Sequence, residues 1–132
     1  MPADETPEST RHLALRVTTM PRDTNQYGTI FGGVILSWID QAGFVQARRH
    51  AEMRWVTASL DRVDFQAPVH VGDVVSFFTR TLGAGRTSLQ IGVEVDAGRF
   101  GTTKDVRVTT ARMTVVAVDE HGRPTPFQDQ AP

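Results

Sequence analysis

Between Thr87 and Asp96, apolar residues alternate with polar ones: Leu89, Ile91, Val93 and Val95 against Gln90, Gly92, Glu94 and Asp96. A period of two predicts a strand with one buried face. Similar but weaker patterns predict strands over His12–Met20, Trp55–Phe65, Val74–Leu82 and Val106–Val118. The segment from Gly32 to about Ala47 has a different rhythm. Val34, Ile35, Leu36, Trp38, Ile39, Ala42, Phe44 and Val45 cover more than one stripe, which predicts a helix buried on most sides. Arg48, Arg49 and His50 fall in its last turn, where positive charge suits the helix dipole. One carboxylate, Asp40, interrupts this apolar segment.

The connections are punctuated by turn residues. Pro21–Ile30 reads as an ordered loop, Gly83-Ala84-Gly85 as a tight turn and Gly98–Thr103 as a loop. The order is therefore a strand, a buried helix and four strands joined by short turns. Consecutive turn-linked strands predict an antiparallel sheet. A curved sheet wrapped around the helix gives an α+β fold. Such a sheet leaves part of the helix and an edge strand uncovered, so a homodimer is expected.

Composition narrows this picture. The chain has 132 residues, enough for one domain with a core. Residues 1–10 are polar and acidic and read as a disordered arm, 11–118 as a single domain, and 119–132 as a polar tail. A net charge of −1 offers no global field for nucleic acid or an anionic membrane. The absence of cysteine removes disulfides, thiolate zinc sites and a cysteine nucleophile. No apolar run approaches a membrane span, and the N-terminus is unlike a signal peptide, so a cytoplasmic location is expected.

The pattern Asn25-x-x-Gly28-x-x-Phe31-Gly32-Gly33 followed by Asp40 resembles the hotdog-fold acyl-CoA thioesterases. Val56-Thr57-Ala58-Ser59-Leu60-Asp61-Arg62-Val63-Asp64-Phe65 and Pro68-Val69-x-Val71-Gly72-Asp73 extend the likeness, which runs from about Asp23 to Val118. It is most similar to the bacterial short- and medium-chain branch, which includes the animal cytosolic acyl-CoA hydrolases. The resemblance implies a hotdog fold and dimers that assemble further, into tetramers or hexamers. It implies hydrolysis of acyl-CoA to a carboxylic acid and coenzyme A without a cofactor. Asp40 falls where the family keeps the carboxylate that activates water or attacks the thioester. Asn25 falls where a polar residue lies near the thioester or the water. Gly32 falls where a backbone N–H polarises the carbonyl. Arg86, Thr87 and Ser88 lie where many members contact coenzyme A. Phe31 replaces the histidine that related phenylacetyl-type enzymes carry before the Gly-Gly pair.

The chemistry needs a base or nucleophile and an oxyanion donor. Helix N-termini supply free N–H groups, and one such donor is worth about 3 kcal/mol in the transition state. Gly32 and Asp40 are eight positions apart, roughly 12 Å along a helix. Both must reach a shared point within about 3 Å of the reacting atoms. Two antiparallel helices allow this, so the site is expected at the dimer interface, with Asp40 shielded there from bulk water.

Blander readings remain for each residue. Asp40 can pair with an arginine, Asn25 can serve only its turn, and Gly32 can simply open a helix. Arg48 and Arg49 read as a solvated helix end or as phosphate contacts. The four histidines, His12, His50, His70 and His121, read as surface or turn residues without metal-ligand spacing, and no metal is expected. Ser37 lacks the Gly-x-Ser-x-Gly context of a serine hydrolase. Trp38 and Trp55 read as core or interface residues. A non-catalytic acyl-CoA-binding module is the alternative function. A hotdog dehydratase would need a histidine near the helix start, and none lies between Met20 and Arg49.

Overall fold

The computed structural model describes residues 11–130; the expected N-terminal arm lies outside them. Strand β1 (His12–Thr18) leads through a short turn of 3-10 helix (Pro21–Asp23) and a loop into helix α1 (Gly32–His50). Strands β2 (Arg54–Phe65), β3 (Val74–Ala84), β4 (Ser88–Gly98) and β5 (Val106–Val118) follow. They form one five-stranded antiparallel sheet in the order β1-β3-β4-β5-β2. α1 packs against all five strands.

The period-two strand, β4, sits at the centre. Leu89, Ile91, Val93, Val95 and Ala97 are all essentially inaccessible. Their neighbours across the ladder, Phe77 and Val75 on β3 and Met113 and Val115 on β5, are equally buried. This inward face is the core, and burial of each large side chain contributes about 1.5–3 kcal/mol. Gly43 brings α1 close to it: a Cβ there would lie 2.3 Å from Met113 Sδ.

Two expectations need correction. The short turn between β2 and β3 does not make a hairpin, because those strands lie at different places in the sheet. β2 is an edge beside β5, while β3 sits between β1 and β4. The crossing spans three strand spacings, about 15 Å. The eight residues Gln66–Asp73 reach about 26 Å when extended. They pass the start of α1, where Ile30 N–H donates to Val69 O at 2.9 Å. The helix is also not buried on most sides of one chain. Ile35, Ile39, Ala42, Gly43, Gln46, Ala47 and His50 are buried, but Phe44 and Val45 remain 43% and 41% exposed. The sheet covers one side only, and Phe44 and Val45 on the other side are left partly open to solvent.

Residues 119–130 are docked as a strap. Thr125 N–H donates to Ala117 O at 2.8 Å, and the Phe127 ring meets Trp55 edge-on at 5.0 Å. The strap is fastened to a polar relay beneath the helix. Thr79 Oγ1 donates to Gln46 Oε1 at 2.9 Å, and Gln46 Nε2 to Thr81 Oγ1 at 2.9 Å. That leaves the Thr81 hydroxyl hydrogen for His50 Nε2 at 2.6 Å, so Nδ1 carries the ring proton and donates to Asp129 Oδ1 at 2.9 Å. His50, expected at a surface or turn, is thus buried and paired. A polar group needs such partners to be tolerated in a core.

Candidate active site

Local hydrogen bonding sets the entry to α1. Asn25 Oδ1 accepts from Tyr27 N–H at 2.8 Å and Thr29 N–H at 3.1 Å, an Asx-type turn. Its Nδ2 donates to Thr29 Oγ1 at 2.9 Å. Gly28 takes φ 87° inside this turn, where a side chain would be strained. Phe31 N–H is tied to Asp23 O at 3.0 Å, so the residue before the helix is anchored. Its own carbonyl accepts from Val34 and Ile35 N–H at 3.1 and 3.2 Å. Among the described residues no side chain caps the helix start. The N–H groups of Gly32 and Gly33 therefore have no partner among those residues and stand as donors at the positive end of the dipole.

The Phe65 ring lies directly against Gly32, 3.3 Å from where a Cβ would stand. Gly32 opens on an apolar cleft of 340 Å³ whose walls include Ile30, Ile35, Phe65 and Val69. Any side chain at position 32 would push that ring aside and narrow the approach to the helix N-terminus.

Asp40 is on the uncovered face of the helix and is exposed within one chain. Its Oδ1 accepts the hydroxyl proton of Thr57 on β2. A β-bulge follows Thr57 in the pairing of β2 with β5, and such a bulge re-aims side chains at a sheet edge. Asp40 and Thr57 line a second cleft of 510 Å³ with Gln41, Phe44, Trp55 and Val56. Thr57 carries no local signal in the sequence beyond its place inside the stretch Val56–Phe65.

The structure brings Asp40 to Thr57 but not to Gly32 or Asn25 within one chain. Asp40 and Gly32 face different clefts. Asn25 organises the loop ahead of the helix, with one Nδ2 hydrogen left to donate. Arg86 and Thr87 lie in the turn between β3 and β4, and Ser88 is the first residue of β4. Ser88 pairs with Val116, which pairs with Val56. That row places Ser88 about 10 Å from the Asp40 cleft across two strand spacings. Arg86 O accepts from Phe127 N–H at 3.3 Å, which joins this turn to the strap behind Trp55. Among the described residues no group of three or more potential metal ligands exists, and no helix is long and apolar enough to cross a membrane.

A family model described as the thioesterase superfamily matches residues 27–104. The chain belongs to the thioesterase superfamily. Among curated relatives of this thioesterase, the acyl-CoA thioester hydrolase YciA of Salmonella typhimurium is 38% identical over 130 residues, 96% of each chain. A hexameric hotdog fold thioesterase of Campylobacter jejuni matches at a TM-score of 0.84 and 42% identity, covering 88% of this chain and 90% of that one. An acyl-CoA hydrolase from Staphylococcus aureus, solved with butyryl coenzyme A and coenzyme A, matches at a TM-score of 0.81 and 29% identity, covering 90% and 72%. That hydrolase has also been solved with an asparagine and with a threonine replaced by alanine. The two altered positions are as far apart in its chain as Asn25 and Thr57 are in this one. The sheet and single long helix of this thioesterase are the hotdog fold.

Proposed function

We propose that this thioesterase cleaves acyl-CoA at sites built from two protomers, each site taking Asp40 from one chain and the free N–H of the partner subunit's Gly32. The chain is an acyl-CoA thioester hydrolase, as its relatives are. One observation carries the shared site: Asp40 and Gly32 lie on one helix but open on separate clefts. Eight residues of helix separate them by roughly 12 Å, whereas a base and an oxyanion donor must converge within about 3 Å of the reacting atoms. Antiparallel pairing of the uncovered helix faces supplies that convergence, and covers Phe44 and Val45 or lines a channel with them.

In this arrangement Asp40 accepts a proton from water as it attacks the thioester carbon, or attacks that carbon itself through an anhydride. The developing oxyanion takes the Gly32 N–H. The thiolate of coenzyme A leaves with a proton, and the net reaction consumes one water. Thr57 donates to Oδ1 and so turns Oδ2 toward the substrate. Asn25 uses its remaining Nδ2 hydrogen on the thioester or the water. The spacing of the altered asparagine and threonine in the Staphylococcus aureus enzyme supports roles for Asn25 and Thr57. Arg86, Thr87 and Ser88 contact the coenzyme A arm beside Trp55. The reaction as written needs no cofactor. Dimers assemble into a hexamer, as the Campylobacter jejuni neighbour is hexameric, and the enzyme works in the cytoplasm.

Thiol release from short, medium, long and aromatic acyl-CoAs, in wild type and Asp40→Asn, tests this reading. The substitution keeps size and removes charge. A fall of a hundredfold or more is expected, about 3 kcal/mol of barrier. A wild type that binds acyl-CoA and hydrolyses none would make the chain a binding module. Full activity in the variant, or in a monomer, would remove Asp40 or the shared site from the mechanism.

A further inference from the structure

Two walls of the Gly32 cleft are held differently. One is the crossing loop, whose backbone is fastened on both sides. Gln66 N–H and Ala67 N–H donate to Val108 O at 2.7 and 3.3 Å, and Ile30 N–H donates to Val69 O at 2.9 Å. Arg99 Nη2 donates to Pro68 O at 2.7 Å, while its Nε donates to Asp73 Oδ2 at 3.2 Å. The other wall is the ring of Phe65, the last residue of β2. Phe65 pairs with Thr109 on β5 and is 52% exposed. Its ring tip approaches Gly32: Cζ, Cε1 and Cε2 lie 3.3, 3.6 and 3.8 Å from where a Cβ would stand.

We propose that Phe65 determines which acyl groups this thioesterase accepts: its ring admits a chain that is straight at the carbon next to the thioester carbonyl and turns away one branched there. This rests on the reading of Gly32 as the oxyanion donor, and it gives the site its substrate class, straight-chain acyl thioesters. The chain that contributes Gly32 also contributes Phe65, so each shared site holds one such ring. The chemistry of the lining decides which half of the substrate enters this cleft. Its side chains are apolar apart from Gln66. The amides and phosphates of coenzyme A would lose hydrogen bonds to water there, whereas an acyl chain has none to lose.

Bond lengths place the discriminating carbon. A carbonyl oxygen that accepts from Gly32 N–H sits about 2.9 Å from that nitrogen, which puts the next acyl carbon roughly 5 Å from it. The ring tip occupies the same neighbourhood, and the loop opposite retreats only by breaking backbone hydrogen bonds. A methylene of a straight chain presents only hydrogens to the ring. A methyl branch at that carbon demands room that the ring fills, as a side chain on Gly32 would. A single methyl group misfitted in an apolar pocket changes kcat/KM by about 10–200-fold.

The test compares butyryl-CoA with isobutyryl-CoA, which carry the same number of carbons and differ at the carbon next to the carbonyl. Wild type should hydrolyse butyryl-CoA at a kcat/KM about tenfold higher. Phe65→Ala should bring the two values within about twofold, and Phe65→Tyr, which keeps the ring, should retain the preference. A ring that merely supports the fold would lower both values together, so their ratio reads selection and not stability. A wild-type ratio near one, or an unchanged ratio in Phe65→Ala, would overturn the assignment. If wild type hydrolyses neither thioester, calorimetry takes the place of kinetics. A tighter binding of butyryl-CoA that Phe65→Ala abolishes would then sink the proposed reaction and leave the role of Phe65 standing, while equal binding of the two thioesters to wild type would sink both.

Discussion

The two faces of α1 obey different rules. The inner face (Ile35, Ile39, Ala42, Gly43, Gln46, Ala47 and His50) is buried, and its polar members are fully partnered. The outer face presents Asp40, Gln41, Phe44, Val45, Arg48 and Arg49 to solvent, with apolar, acidic and basic groups side by side. Every demand of the inner face is met by its own chain. The outer face is left with unspent chemistry: a carboxylate hydrogen-bonded by Thr57, two large apolar side chains half open to solvent and, among the described residues, an arginine, Arg49, with no ion pair. Changes to the inner face should therefore read out as stability, and changes to the outer face as activity.

The sharpest way to break this contrast is at adjacent positions. Ile39→Ala removes a fully buried side chain and should cost about 2–5 kcal/mol of stability, seen as a lower urea midpoint. Its neighbour Asp40→Asn should lose its hundredfold in turnover while the urea midpoint stays in place. A midpoint that falls as far in the second variant as in the first would erase the difference between the faces.

A smaller effect is expected at Gly43. An added methyl would meet Met113 Sδ and Cε at 2.3 and 2.6 Å, and Met113 is itself buried among core side chains. Gly43→Ala should cost about 1–3 kcal/mol from overpacking. Shortening the opposing side chain in Gly43→Ala with Met113→Val should recover part of it, because contacting residues couple. Independent, additive losses in the double variant would show that the helix does not rest on Met113.

The smallest effect lies on the strand opposite the outer face. Thr57→Val keeps shape and removes the hydroxyl that orients Asp40. Turnover should fall about tenfold, roughly 1.4 kcal/mol, with KM and the urea midpoint little changed. If KM rises instead, Thr57 touches substrate rather than the carboxylate.

Much of the fold was legible along the chain. The alternation around Leu89–Val95 marks a strand whatever surrounds it, because successive side chains of a strand point to opposite faces. The dense apolar segment after Gly32 marks the helix for a similarly local reason. The site was legible only as a set of residue types. Asp40 stood out because a charge amid apolar residues needs a reason. Thr57 did not, since a threonine in a strand is unremarkable until the fold sets it against Asp40. His50 reads as a surface or turn residue from its local context because its partners, Thr81 and Asp129, are distant along the chain.

Local patterning alone specifies the elements and the α+β class, since periodicity depends on local backbone geometry. The sequence also places glycines at the start of the helix and a carboxylate eight residues on. Packing of the whole chain made β2 an edge beside β5, brought the crossing loop to the wall of the Gly32 cleft and left one side of α1 uncovered. Strand order and burial depend on contacts between residues far apart in the chain, and no local pattern records them.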